Sequence, residues 1–421
     1  MGSSPQVESP IALVKKIGRT RWLYILPVLT SLWAVGSIEK TNVGIISAYK
    51  PFLSDMGLAN APGKIGLLTT LFLITYGIGM VLWGFVIDRW GPRKTAITAV
   101  VIWIVATLLA GASTDLVTLY VSRLLLGLGE GALWPICTKM TSNWFRRDEE
   151  SRATSIWVNG MNVGIAFGGL IITSIIGSLG WHSVFFILAA LALIPLGLII
   201  TLVRDHPADS PFIDETERTF IDQGKAVVTS KSAGGLRNYR LWLLLVANVA
   251  TGMGFWGVNS WVPKYLVDVR HLSMAGMGIF TLVAWLLCAV VLTIFGAWAD
   301  KLDRRAPFAV CGYVVYAVVL WGCTVVSSAL LAMLLLAIAI WTLQTTTLMV
   351  FSLVHGVSKQ SNVGSQTGVM SGGSNIVAAF APFIMGLIIG ANSNYTGAFV
   401  FLSAAGVIGA IMVAILIPQR F

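Results

Sequence analysis

Gly84-Phe85-Val86-Ile87-Asp88-Arg89-Trp90-Gly91-Pro92-Arg93-Lys94 closes one long apolar run and opens the next. Four charges around a Gly-Pro pair stop a membrane span and turn the chain. A second copy stands 212 residues later, where Gly296-Ala297-Trp298-Ala299-Asp300-Lys301-Leu302-Asp303-Arg304-Arg305 also follows a long apolar run. The offset recurs elsewhere. Trp181-His182-Ser183-Val184-Phe185 pairs with Tyr395-Thr396-Gly397-Ala398-Phe399, and Phe185 and Phe399 lie 214 apart. A near-constant offset of half the chain is an internal duplication, which implies two parallel six-helix halves.

Outward from this loop, apolar runs of the roughly 20 residues that a bilayer crossing needs recur along the chain. They predict helices at 22–49, 63–86, 95–113, 116–140, 152–177 and 182–203, then at 239–268, 273–299, 306–327, 329–356, 361–390 and 395–418. The one long polar stretch, 204–238, separates six from six. The expected organisation is an N-terminal six-helix bundle over 1–204, a cytoplasmic linker over 205–238 with a short amphipathic helix at 213–224, and a C-terminal bundle over 239–421. The fold class is an all-α integral membrane protein with twelve transmembrane helices in two pseudo-symmetric bundles.

Composition agrees. Of 421 residues, 56% are hydrophobic and 11% charged, where a soluble domain carries about 25% charged residues. Mean hydropathy is +0.83. A net charge of +10 is the kind of excess that nucleic acid attracts, but its placement excludes that partner. With both termini cytoplasmic, 22 of the 28 Lys and Arg fall on the inner side. Only Lys50, Lys64, Lys264 and Arg270 fall outside, and Lys40 and Arg123 within spans. This is the positive-inside bias. The N-terminal apolar run is too long for a cleaved signal peptide. Cys137, Cys288, Cys311 and Cys323 lie singly in apolar segments, so neither disulfide nor metal ligation follows. No phosphate-binding loop, nucleophile elbow or metal cluster is present in the sequence. An enzyme, an ATP-driven pump and a cofactor are therefore not expected.

Four charges lie deep in predicted spans: Glu39, Lys40, Arg123 and Glu130, all in the first half. Each costs roughly 2.5–3.5 kcal/mol to insert at a helix centre. Such groups persist by pairing, by facing water or by working. One reading is a set of ion pairs pinning the first and fourth helices. The other is an anion site coupled to protons through Glu39 and Glu130, and the two are compatible. With both glutamates ionised the four charges sum to zero. Protonating one leaves +1, and an entering carboxylate then restores neutrality, so proton and anion favour each other. Arg123 and Glu130 are seven apart, two turns on one face and about 10 Å along the axis, and Glu130 is the favoured carrier, coupled through Arg123. Gly127, Gly129 and Gly131 thin that helix for close packing. A polar lining follows from helix position: Tyr76, Asn159, Asn162, Asn248, Gln344, Thr346, Thr347, Ser371, Ser374 and Asn375. Each can equally be an interhelical hydrogen bond. Trp22, Trp90, Trp144 and Trp181 sit where an interfacial belt is expected. Trp33, Trp256, Trp285 and Trp341 lie deeper, in packing or along a cavity.

The loop at 84–94 resembles the loop between the second and third helices of the major facilitator superfamily. Arg123-Leu-Leu-Leu-Gly127-Leu-Gly129-Glu130-Gly131-Ala-Leu-Trp-Pro135, Asn143-Trp144-Phe145 with Glu150-Ser151-Arg152-Ala153, and Ser260-Trp261-Val262-Pro263-Lys264-Tyr265-Leu266 resemble its anion:cation symporter family, of the galactonate, hexuronate and sialin type. The first-helix pattern Asp-Arg-x-Asn of that family reads Glu39-Lys40-Thr41-Asn42 here, and Lys lacks the bidentate fork of Arg. The resemblance implies proton-coupled symport of a small organic anion, a sugar acid or other carboxylate, into the cytoplasm by alternating access. It implies Lys40 and Arg123 as carboxylate anchors and places Tyr76, Asn248 and Ser371 at substrate, with Ser371 standing where the family has Asn. It gives Asp88, Arg89, Arg93 and Asp300 a gating role at the cytoplasmic face. A uniporter or exchanger without proton coupling, and a non-transporting sensor with a carrier fold, are the alternatives. A cationic-drug antiporter fits poorly, because Lys40 and Arg123 repel cations. A monomer in a bacterial inner membrane, with anion, proton and lipid as its partners, is expected.

Overall fold

The computed structural model describes residues 20–224, 239–299, 305–357 and 372–417. Among the described residues every regular element is helical, and eleven helices are long and apolar enough to cross a membrane. In order they are α1 (Arg21–Ile46), α2 (Pro62–Trp90), α3 (Pro92–Gly111), α4 (Leu116–Trp144), a continuous run Arg147–Leu202, α7 (Tyr239–Asp268), α8 (Met274–Ala299), α9 (Ala306–Val325), α10 (Ala329–Val357), α11 (Gly372–Asn392) and α12 (Thr396–Ala414). The 56-residue run would be about 84 Å long if straight, nearly three times the ~30 Å hydrocarbon core. It breaks at Gly180, whose φ of 78° and ψ of 171° are non-helical. Residues 147–179 and 181–202 are therefore two crossings, α5 and α6, which makes twelve among the described residues.

The structure moves several boundaries. The fifth helix starts at Arg147 rather than 152, because Asp148, Glu149 and Glu150 occupy its first turn and favour the positive end of the helix dipole. The linker helix forms at Glu215–Gln223, with the Asp214 side chain accepting from the Glu217 N–H at 2.6 Å. Two of the expected belt tryptophans are interior instead. Trp144 and Trp181 are buried, their indole N–H groups donating to the Arg204 carbonyl and to Asp55. An indole with a protein acceptor has no need of the interface.

Within the 84–94 stretch the two helices meet at Gly91 alone, and the second is capped there. Gly91 has a φ of 79°, which a residue with a Cβ rarely adopts. Pro92 opens α3, where its missing N–H costs nothing. Asp205 lies against Gly91 and accepts from the Arg93 N–H at 2.7 Å.

The core shows how the halves sit together. At the end holding the 47–61 connection, one apolar core runs through both halves, from Ile46, Phe52 and Leu68 to Val262, Leu266 and Ile389. There α2 crosses α11 so closely that Gly386 abuts the Pro62 carbonyl and Gly66 the Pro382 carbonyl. Gly44 of α1 rests in the same way on the Asn259 carbonyl of α7. At the opposite end the cores are two. One belongs mainly to the first half, reaching across to Trp256, Ala378 and Ala379, with Met253 and Phe255 packed against it. The other is built wholly from the second. The halves are joined at one end and part toward the other.

Candidate functional site

The four buried charges meet inside the first half. Neighbours in a helix point about 100° apart, so Glu39 and Lys40 leave α1 in different directions. Glu39 turns toward α3 and α4. Its carboxylate accepts from the Asn42 amide at 3.1 Å and from Thr107 Oγ1 at 3.3 Å. Asn42 Oδ1 in turn accepts from Arg123 Nη1 at 3.2 Å, so one asparagine, a single turn from Glu39, relays it to the arginine. Arg123 also lies over the Phe185 ring, 5.4 Å from its centroid. Lys40 turns toward α2, its ammonium 3.7 Å from Glu130 Oε2 and over the rings of Trp33 and Tyr76, at 4.6 and 4.7 Å.

The partners thus differ from those that spacing suggests. Glu130 answers Lys40, not the Arg123 of its own helix, and Glu39 answers Arg123, not the adjacent Lys40. Along α4 two turns separate Arg123 from Glu130, whereas a residue of α1 sits level with each.

Sequence explains how α4 carries both charges into the core. Gly127 packs on the backbone of Phe72 and Tyr76, Gly131 on Tyr76 and Gly79, and Gly129 on Ala99 and Trp103. Alternating glycines let α4 lie against α2 on one side and α3 on the other, closer than any side chain allows. The helix is interrupted after Glu130 and resumes at Leu133. Pro135, four residues past Gly131, supplies no N–H to its carbonyl and clashes with a straight helix there.

All four charged side chains are buried, Lys40 least so, and their hydrogen bonding is incomplete. Neither oxygen of Glu130 accepts a hydrogen bond, and Nε and Nη2 of Arg123 reach no acceptor among the described residues. Buried charged groups left in this condition are costly. Arg123 keeps unused donors and Glu130 unused acceptor positions in the same buried cluster.

Of the polar candidates, Tyr76 joins the charged cluster beneath Lys40. Asn162 donates to Asn159 at 3.0 Å on α5, and Asn248 of α7 donates to Ser374 of α11 at 2.7 Å. Gln344 is buried on α10, and Asn375 is half-buried on α11. Thr346 and Thr347 each donate to a carbonyl of α10 one turn back. Ser371 and Asp300 lie outside the described residues. Asp88 pairs with Lys139 at 2.9 Å in an exposed bridge between α2 and α4. Arg93 reaches the Ile200 carbonyl at 2.7 Å. Arg89 is exposed at the end of α2.

A cavity lies across the junction of the halves, between α1 and α5 on one side and α7, α8 and α10 on the other. Thr41, the residue after Lys40, is part of its wall, as is Trp285.

Three contributors are not apparent from sequence. Thr107 and Phe185 carry no charge to mark them. The third is a buried clip at the end where the halves part. Arg21 holds Glu149 through Nε at 3.0 Å and Nη2 at 2.8 Å, and Glu217 through Nη1 at 2.6 Å. It fastens the linker helix to α1 and α5, across sequence separations of 128 and 196 that no local pattern betrays.

The model of the Major Facilitator Superfamily matches residues 32–293 and 277–420. The chain belongs to that superfamily. This major facilitator protein is a transporter and not an enzyme. It is 26% identical over 406 residues to a hexuronate transporter of Bacillus subtilis, covering 92% of this chain and 93% of the relative. It is 24% identical over 424 residues to a D-galactonate transporter of Escherichia coli, with 96% of each covered. To a probable sulfoacetate transporter of Cupriavidus necator it is 25% identical over 400 residues, with 92% of each covered. Among solved structures, a bacterial homologue of the human lysosomal transporter Spinster, inward-facing and occupied, superposes with a TM-score of 0.75 at 16% identity, over 96% of this chain and 98% of that one. The inward-open xylose transporter of E. coli gives 0.73 at 14% identity, over 92% and 94%. These two share the major facilitator fold.

Proposed function

We propose that this transporter carries a small organic anion into the cytoplasm together with protons, by alternating access. The observation that carries the reading is the buried set of two cations and two carboxylates in the first half, with Arg123 and Glu130 short of hydrogen bonds. An entering carboxylate is attracted to Lys40 and Arg123 and weakens their hold on Glu130 and Glu39. A glutamate so released in an apolar interior takes up a proton. Leaving anion and leaving proton reverse the steps. The hexuronate, galactonate and sulfoacetate relatives support an anionic substrate. The excess of Lys and Arg on one side supports cytoplasmic termini, so the halves part toward the cytoplasm and the 47–61 end is closed to the outside. Asp88, Arg89 and Arg93 then act on the balance of conformations rather than on substrate. The expected setting is a bacterial inner membrane, with the monomer as working unit.

The test is uptake into proteoliposomes across a panel of carboxylates, with and without an imposed pH gradient, inside alkaline. Accumulation above equilibrium only with the gradient is the expected result. Equilibration alone would make the protein a uniporter or exchanger, and no flux for any anion would remove the transport reading.

A further inference from the structure

Arg21 and Arg123 are both buried, and they are used differently. Arg21 sets the guanidinium edge formed by Nε and Nη2 on the two oxygens of Glu149, at 3.0 and 2.8 Å, and gives Nη1 to Glu217. In Arg123 only Nη1 makes a hydrogen bond among the described residues, to the side-chain oxygen of Asn42 at 3.2 Å. The Nε–Nη2 edge, which in Arg21 grips a carboxylate, is buried in Arg123 without an acceptor. Its paired N–H groups match the two oxygens of a carboxylate, and leaving them empty away from water is costly.

An acid stands close by. Glu39 is fully buried in the same cluster, but its oxygens are engaged by Asn42 Nδ2 at 3.1 Å and by Thr107 Oγ1 at 3.3 Å. Asn42, itself fully buried, thus lies between acid and base, donating to one and accepting from the other. An amide has one donor end and one acceptor end, so it satisfies both neighbours without bringing a charge of its own. A glutamate in direct contact with Arg123 would instead fill the free edge, and an entering anion would have to displace it. Resting on the anion-carrier reading above, we propose that Asn42 is a positioning residue of this carrier: it holds Glu39 off Arg123 and so keeps the Nε–Nη2 edge free for the substrate carboxylate.

Calorimetric titration of the full-length protein in lipid nanodiscs tests this with D-glucuronate, D-galactonate and benzoate, the variants being compared on whichever the parent binds most tightly. Asn42→Ala removes the spacer, and affinity should fall roughly ten- to 100-fold, the scale of hydrogen bonds to a charged group. Adding Glu39→Gln removes the competing acid, and affinity should return to within about threefold of the parent. A residue that only shaped the helix would not be rescued by neutralising Glu39. Asn42→Asp, close in shape, brings a carboxylate to Arg123 itself. It should keep its thermal midpoint and lose binding, without rescue by Glu39→Gln, and it serves if Asn42→Ala does not fold. Parental affinity in Asn42→Ala or in Asn42→Asp, or a double variant no tighter than Asn42→Ala, would overturn the role of Asn42 and leave the anion carrier standing. A parent that binds none of the three acids would remove the carboxylate site at Arg123, and the anion-carrier reading with it.

Discussion

Gly386→Ala should move the transporter out of the arrangement described above. An added Cβ would lie 2.5 Å from the Pro62 oxygen, 2.9 Å from the Pro62 carbonyl carbon and 3.0 Å from Gly63 Cα. Ordinary contact begins near 3.4 Å, so α2 and α11 must separate by roughly 1 Å. The obstacles are backbone atoms, which no rotamer change relieves. Overpacking of this kind costs about 1–3 kcal/mol, or roughly five- to 150-fold in a conformational equilibrium. In a conformation where the 47–61 ends of the halves part, the methyl group is free and the cost vanishes. The whole penalty then acts as a population shift. The readout is a cysteine at Ile45, buried at the cavity between the halves, in a background with the exposed Cys311 replaced by Ser. A membrane-impermeant maleimide added outside should label it several-fold faster in Gly386→Ala than in the parent. Gly197→Ala is the control, because nothing lies within 4 Å of the position a Cβ would take there. Unchanged labelling and unchanged uptake in Gly386→Ala would refute the inference that this crossing closes and opens during transport.

Glu130→Gln should keep radiolabel exchange and lose accumulation driven by a pH gradient; retained accumulation removes Glu130 as proton carrier, and loss of both activities makes it a structural ion-pair partner. Arg123→Ala should abolish substrate binding and Arg123→Lys should weaken it, since a lysine does not reproduce the guanidinium fork; unchanged affinity in Arg123→Ala, measured by calorimetry, would contradict the anchor role. Arg21→Ala should strand Glu217 without its ion-pair partner, at a cost of about 3–5 kcal/mol for breaking a buried pair, seen as a lower thermal midpoint and faster proteolysis within 204–224; an unchanged midpoint would mean that the backbone N–H groups of residues 20 and 21, which also donate to Glu217, hold the linker helix without the guanidinium. Asp88→Asn should alter transport rate with little effect on affinity, and a large rise in Kd would place the loop in contact with substrate.

Much of the fold could be read from the chain, because bilayer thickness imposes a length and the absence of water imposes helicity. The apolar runs follow from those two constraints, and the repeat about Asp88 and Asp300 from the constant offset between the halves. Of the candidate site, residue types were legible and pairings were not. Glu39, Lys40, Arg123 and Glu130 stand out as buried charges, but which acid meets which base depends on the rotation of α1 against α4. The Gly127–Gly129–Gly131 contacts seat α4 on α2 and α3, Gly160 and Gly164 seat α5 on α1, and spacing along one helix encodes neither. Asn42 lay one turn from Glu39 and was open to discovery. Asp205 was hidden because it reads as the first residue of a linker, yet it caps α3 beside Gly91. The tryptophans were misplaced where a specific acceptor, Asp55 or the Arg204 carbonyl, outcompetes the interface.

The balanced cluster in α1 and α4 also bears on what drives the cycle. Two cations and two carboxylates sum to zero, and binding one proton with one monoanion leaves the sum unchanged. A charge moved through the membrane field is worth about 2.3 kcal/mol per 100 mV. A carrier that is neutral both empty and loaded collects none of it. Uptake of a monoanion with a single proton would then follow the pH difference and ignore the voltage. A second proton, taken by Glu39 as well as Glu130, would make the same protein a consumer of membrane potential.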